Sequence, residues 1–374
     1  MNNKTLTMLA VGDIILGPDA ESFFTLVIPS LKEGDVVVGQ LEVPYTTRDA
    51  NAMALGRDPI TLNALVSAGF DLVTLAGNHI YDAGDAGVED TISWLREHNI
   101  AFVGAGMDWA EATSPTILEQ NGTRFGFLSY NSVGPRSTWV ARREAVDKPG
   151  CAYVDVATYY ELSHANPGGP PSVYTFAKPQ SIRAMRDDIS RLRELCDVLV
   201  VSFHKGIVHT PIKLVDYEQE ISYAAIDAGA DLILGHHHHI LKGIELYKGK
   251  AIFHGLCNFV CWLPSLAPRP DQDPQSWARR RRELFGFEPD PEYPTYPFHP
   301  EAKHTIIAKC TVENGKISRV GYLPCLVNKQ GQPEVVKNDE RGQQVFDYMD
   351  EITRGAGLNA RFRWEGNEVV IEAP

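Results

Sequence analysis

Five short apolar runs, each stopping at a glycine or a loop rich in Asp, Glu, Asn or His, constrain this chain more than any other feature. Run 6–11 stops at Gly12-Asp13, and run 36–38 at Gly39-Gln40-Leu41-Glu42. Run 72–75 leads into Gly77-Asn78-His79, and run 198–203 into His204-Lys205-Gly206. Run 232–234 ends in Gly235 and four histidines. Nearly continuous Val/Ile/Leu runs of this length are the pattern of strands buried on both faces, as in a parallel sheet. The last four are each preceded by an aspartate: Asp35, Asp71, Asp197 and Asp231.

Helical spacing fills the gaps. Val88, Ile92 and Leu95 share one face, as do Ile182, Met185, Ile189 and Leu192. A third amphipathic stretch, 217–227, closes on Ala228-Gly229, a suitable helix stop. Strands alternating with such helices imply βαβ units. Segment 67–79 (SAGFDLVTLAGNH) echoes 227–239 (DAGADLILGHHHH), which predicts two related halves with adjacent strand ends. Residues 1–262 are expected to form the core. Residues 263–302 are rich in proline and read as an insertion or lid loop with little regular structure. Residues 303–374 read as a β-rich extension completing the domain, with a hairpin at Asn314-Gly315, a helix over 340–354 and a last hairpin at Gly366-Asn367.

Charge narrows the partners. The 374 residues carry 35 basic and 48 acidic side chains, a formal charge of −13. That balance opposes nucleic acid or an anionic membrane as the main partner. The run Arg279–Arg282 reads as a solvated loop or helix start. No apolar run approaches the roughly 20 residues that span a bilayer, and the start has no signal-peptide pattern. The expectation is a cytoplasmic protein without a membrane anchor. Six cysteines lie scattered without a CxxC pair, which fits reduced thiols.

In parallel α/β sheets, strand carboxyl ends face the ligand crevice. Here they present Asp13, Glu42, Asn78 with His79, His204 and His236–His239. These oxygen and imidazole donors suit Mn, Zn, Fe or Ca. A lone strand-end Asp is usually a cap and a lone His usually structural. Five successive ends of one kind predict a divalent metal centre instead. If the histidine run is extended, His237 and His239 share one face and His236 and His238 the other.

The order GD (12–13), GQLEVP (39–44), AGNHIYDAG (76–84), HKG (204–206), GHHHHILKGIE (235–245) and CNF (257–259) resembles the CapA family, over roughly residues 6–262. Named members of that family act in poly-γ-glutamate capsule biosynthesis. The resemblance implies a four-layer α/β/β/α sandwich of the calcineurin-like metallophosphatase type. It also implies metal ligands at Asp13, Glu42, Asn78, His204, His237 and His239. His79 matches the catalytic acid, Asp82 the acid that orients it, and His204 the isolated histidine, a ligand that is also placed in the catalytic set. The chain departs from the pattern at Ile15, where a phosphatase of this fold has a histidine ligand. It departs again at Gln40, Lys205, Val208 and Cys257.

The expected activity is metal-assisted acid/base chemistry, hydrolysis first, on a peptide-like or γ-glutamyl polymer substrate. The alternatives are a two-metal phosphoesterase, a peptide epimerase using His79–Asp82 with His304 and Asp13, and a non-catalytic binding module. Lys205 is weighed as an anion contact, Asn258 as a neighbour of the metal, Trp262 as a pocket wall, and His209 and His254 as structural.

Overall fold

The computed structural model describes residues 5–48, 57–140, 148–263, 268, 271–293 and 296–373. Parts of the expected lid, at 264–267, 269–270 and 294–295, lie outside the described residues.

Two sheets pack face to face. In the first, parallel strands Leu6–Ile15, Val36–Leu41, Leu72–Thr74 and Ala101–Val103 follow one another in order. The antiparallel strands His304–Glu313, Lys316–Val327, Glu368–Glu372 and Arg361–Glu365 extend the sheet on the other side of Leu6–Ile15. In the second, Lys250–Leu256, Leu232–His236, Val198–His204 and Thr123–Asn131 are parallel neighbours. Leu241–Tyr247 and Thr116–Gln120 add antiparallel edges.

The runs are apolar throughout because both faces are covered. Val198 and Val200 point into the core shared with the first sheet. Leu199, Val201 and Phe203 point the other way, under Met185, Ile189 and Ile221 of helices Pro179–Arg193 and Asp216–Ala228. Helices Ala20–Phe24, Asn63–Ala68 and Gly84–Glu97 contribute Phe24, Leu65, Val88 and Ile92 to the core on the first sheet's side. The result is the expected α/β/β/α sandwich.

The four aspartates have one job. Asp35 accepts from Thr7 N at 2.9 Å, and Asp71 from Val37 N at 2.7 Å. Asp197 accepts from Arg124 N and Asp231 from Leu199 N, both at 2.9 Å. Each carboxylate thus satisfies an N–H at the start of the neighbouring strand, a group that would otherwise lack a partner. This pins strand register at the end opposite the site. The echoed segments occupy matching places, Leu72–Thr74 in the first sheet and Leu232–His236 in the second, each after a helix stopped by glycine in the left-handed region (Gly69 at φ 85°, Gly229 at φ 124°).

The proline-rich segment is more regular than expected. Pro274–Phe285 is a helix, with Asp273 accepting from Ser276 N at 2.9 Å and Gly286 at φ 79° closing it. Proline at a first helical position starts a helix rather than breaking one, because its missing N–H is unbonded there anyway. The four consecutive arginines lie inside this helix.

Candidate metal centre

Asp13 reaches the site because its strand slips. The pairing register shifts there toward both Val36–Leu41 and Asn258–Cys261, and such irregularities re-aim a side chain. Gly12 permits the slip: a Cβ on it would lie 2.0 Å from Cys257 O, the atom that accepts from Asp13 N at 2.9 Å. Gly235 is equally confined: a Cβ on it would lie 1.9 Å from His254 O. Close backbone approach dictates both glycines.

Ligand-type atoms of Asp13, Glu42 and His239 lie within 4.8 Å of one another, and all three residues are buried. His239 Nε2 is 3.3 Å from Glu42 Oε1, and its Nδ1 is 3.8 Å from Asp13 Oδ2. A second group adjoins the first through Glu42. His204 Nε2 lies 4.0 Å from Glu42 Oε1 and 2.7 Å from Asn78 Oδ1. The His237 ring is 4.9 Å from that of His204. His79 and Asp82 stand at the rim, with Nδ1 of the imidazole 2.7 Å from Asp82 Oδ2. The structure therefore gathers all eight residues singled out from the sequence.

Asp13 Oδ1, both Glu42 carboxylate oxygens, and Nδ1 of His204 and of His237 are buried without an aligned hydrogen bond. Uncompensated buried oxygens of this kind are costly. Their convergence with imidazole nitrogens fits a divalent cation. Asn258 fixes the His239 ring. Its Oδ1 accepts from Nδ1 at 2.7 Å, and its Nδ2 donates to Tyr296 Oη at 2.9 Å. That leaves Nε2 toward Glu42, an arrangement typical of ligating histidines.

Burial and mutual charge shift the titration of Asp13, Glu42, His239, His204, His237 and His79. Burial, reinforced by Glu42, raises the Asp13 carboxyl. Burial would raise Glu42 too, but His239, His79 and His236 outweigh it and hold the carboxyl below its usual range. Burial lowers His239, yet Glu42 and Asp13 outweigh burial and push it up to about 9. Burial drives His204 and His237 well down, with neighbouring imidazoles adding to the effect, so both are neutral donors. For His79, burial is outweighed by the bond to Asp82 and the charge of Glu42, which raise it.

The histidine run corrects the alternation expected of an extended segment. The strand ends at His236, and His237 and His239 adopt φ of 90° and 54°. This turn puts His236 beside Asp13 as well, 3.1 Å from Oδ1. Only His238 points away, to Glu218.

Lys205 is also corrected. It is fully buried and donates to Glu218 O and Ser222 Oγ, both at 2.9 Å, away from any substrate. Trp262 does not wall the cleft; its ring packs over Gly17 and under Arg57. His304 stacks on Tyr348 and bonds Glu301 O at 3.2 Å, so it does not join Asp13. His254 is held between Lys205 and Glu245. Cys257 and Cys261 are buried free thiols.

The cleft over the site measures 590 Å³. Sequence reading missed several of its walls, Arg57, Arg281, Phe285 and Phe298, and His209, weighed there as structural, lines it too. Burial, with help from His239, pushes His209 down to about 2. The arginine run was the available signal for Arg281, and helical periodicity within it was the missing step.

The bacterial capsule synthesis protein family PGA_cap matches residues 7–262. The chain belongs to that family. It is 29% identical over 275 residues to the capsule biosynthesis protein CapA of Bacillus anthracis, covering 69% of this chain and 60% of that protein. It is 28% identical over 274 residues to the PGA biosynthesis protein CapA of Bacillus subtilis, covering 69% and 64%. The match thus spans less than two thirds of either relative. A solved structure described as a novel phosphatase from Mycoplasma pneumoniae aligns with TM-score 0.49 and 13% identity, over 92% of this chain and 99% of that one. Among the described residues of this CapA-family chain, no helix is long and apolar enough to cross a membrane.

Proposed function

We propose that this CapA-family chain is a metal-dependent enzyme acting on a peptide-like or γ-glutamyl amide chain, with hydrolysis as the reaction. The observation that carries the reading is the buried Asp13–Glu42–His239 group, in which neither Glu42 oxygen has an aligned hydrogen-bond donor. A divalent ion held there supplies Lewis-acid polarisation of the substrate carbonyl. Asp82 accepts from His79 Nδ1–H, which fixes the tautomer and leaves Nε2 as the atom that moves a proton to or from the substrate. The apolar walls Ile15, Val43 and Pro44 exclude water around the reacting group.

Elemental analysis of the purified protein, of Asp13→Ala and of His239→Ala tests the site. A stoichiometric metal that falls in both variants is expected, and unchanged content in both would sink it. Glutamate release from a γ-glutamyl oligomer tests the reaction, and no release by metal-loaded protein would count against hydrolysis.

A second reading has one observation in its favour. Asn78, His204 and His237 adjoin the first group through Glu42, so these residues could hold a second ion, as a phosphoesterase would need. Two metals per chain together with rapid turnover of p-nitrophenyl phosphate would reverse the order of the two readings.

A further inference from the structure

We propose that Arg281 is a specificity-determining residue that receives a carboxylate of the substrate in the cleft above the metal centre, with Arg57 adding a second fixed positive charge. The proposal rests on the acyl-chain reading above. It concerns residues that reading does not use, and Arg281 lies outside the 7–262 span matched by the family.

Four consecutive arginines occupy the helix Pro274–Phe285, and only one turns inward. Arg279, Arg280 and Arg282 are exposed, while Arg281 is 8% exposed and lines the cleft. Its guanidinium packs over Phe285, 4.5 Å from the ring centroid, and near Phe287 at 5.7 Å. Among the described residues its Nη2 donates to Pro297 O at 3.2 Å and its buried Nε has no partner. Arg57 repeats the arrangement. It is 6% exposed, donates to Leu16 O and Trp262 O, and keeps a buried, unpartnered Nε.

Neither guanidinium meets a carboxylate within ion-pair distance among the described residues. Carbonyl oxygens orient an arginine but do not cancel its charge, and arginine does not shed its proton. A buried, unpaired cation is unfavourable, and a bound anion relieves it. A carboxylate suits the planar fork of guanidinium donors.

The position is right for substrate rather than for a remote ion. The His209 ring sits 4.9 Å from Phe287 on one side and 5.6 Å from His239 on the other. Two aromatic rings, Phe287 and His209, thus link Arg281 to the metal-ligand imidazole of His239 along one wall of the cleft. The intervening walls, Phe285 and Phe298, are apolar. The ligand class that fits is an acyl or peptide chain with a free carboxylate a few bonds from the carbonyl that meets the metal centre.

The test is calorimetric titration of the metal-loaded protein with tri-γ-glutamate and with the same oligomer bearing primary amides in place of its free carboxylates. The wild type is expected to bind the acid at least about tenfold more tightly, as a charge-assisted hydrogen bond implies. Arg281→Lys should keep only part of that preference, because it loses the planar fork, and Arg281→Gln should reduce it severalfold further, at unchanged metal content. Equal affinity for the two oligomers, binding of neither, or a preference undiminished in Arg281→Gln would overturn the proposal. The wild-type comparison needs no variant, so a poorly folding substitution does not shield it. Metal content is read separately: protein without metal that still prefers the acid would overturn the metal reading and leave the carboxylate site standing.

Discussion

His238 Nε2 donates to Glu218 Oε2 at 2.8 Å, with both side chains fully buried on the far side of the histidine run from the cleft. The other Glu218 oxygen accepts from Val215 N at 3.0 Å, at the start of the helix Asp216–Ala228. One carboxylate thus ties the ligand-bearing turn to a helix. Burial would raise its pKa, but His238 and Lys205 outweigh burial and hold it at about 2. Gly206 makes room for the pair, since a Cβ there would fall 2.0 Å from His238 Nε2.

Glu218→Ala leaves a buried imidazole N–H and the Lys205 ammonium without their acid. The expected loss is about 1–3 kcal/mol of stability, the cost of leaving a buried hydrogen-bonding group unsatisfied. Urea unfolding reads it. Metal affinity should fall as well, because the 237–239 turn loses its anchor. A variant within about 0.5 kcal/mol of wild type would show that the pair does no structural work.

His79 and the ligand group should separate in mutants. Asp13→Ala and Glu42→Ala should strip the metal, read by elemental analysis. His79→Ala should retain it while slowing turnover by about 10²–10⁴-fold, the usual contribution of a positioned acid or base. Asp82→Asn should slow turnover less, since it disturbs only the orientation of the ring. Loss of metal in His79→Ala would make that residue a ligand instead of a proton carrier.

Stability should fall with acidification below neutrality. Burial holds His254 and His304 at about 4, against 6.5 for a free imidazole. Above 6.5 both rings are neutral in folded and unfolded chains. Between 6.5 and about 4 the unfolded chain binds protons that the folded chain refuses, so unfolding becomes easier as pH falls, and the loss levels off below 4. Melting temperatures from pH 8 to pH 4 measure it. His304→Gln removes one titrating ring and should flatten the slope; an unchanged slope would mean that His304 contributes nothing.

Gly12→Ala and Gly235→Ala should both disrupt the centre. Each places a methyl group 2.0 Å or less from a backbone oxygen, and backbone cannot step aside as a side chain can. Lower melting temperature together with reduced metal content is expected in each. Gly122→Ala is a useful control: its added Cβ meets nothing within 4 Å, although its φ of 81° brings some strain of its own.

The sequence by itself determined the layers and the edge. Unbroken apolar runs require cover on both faces, glycine stops the helices, and a polar residue at each strand end marks where covering ends. Those are local properties, legible one segment at a time, and they named Asp13, Glu42, Asn78, His79, His204 and the run His236–His239; Asp82, and the choice of His237 and His239 as ligands, came from the family resemblance. Tertiary structure alone decided which atoms meet. The run at 236–239 reads as alternating until two positive φ angles turn it. Lys205 reads as a candidate contact for an anionic substrate until the helix Asp216–Ala228 covers it. Arg57 and Arg281 stand 224 positions apart in sequence and share one cleft. Such encounters depend on how distant segments pack, and no local pattern encodes the partner.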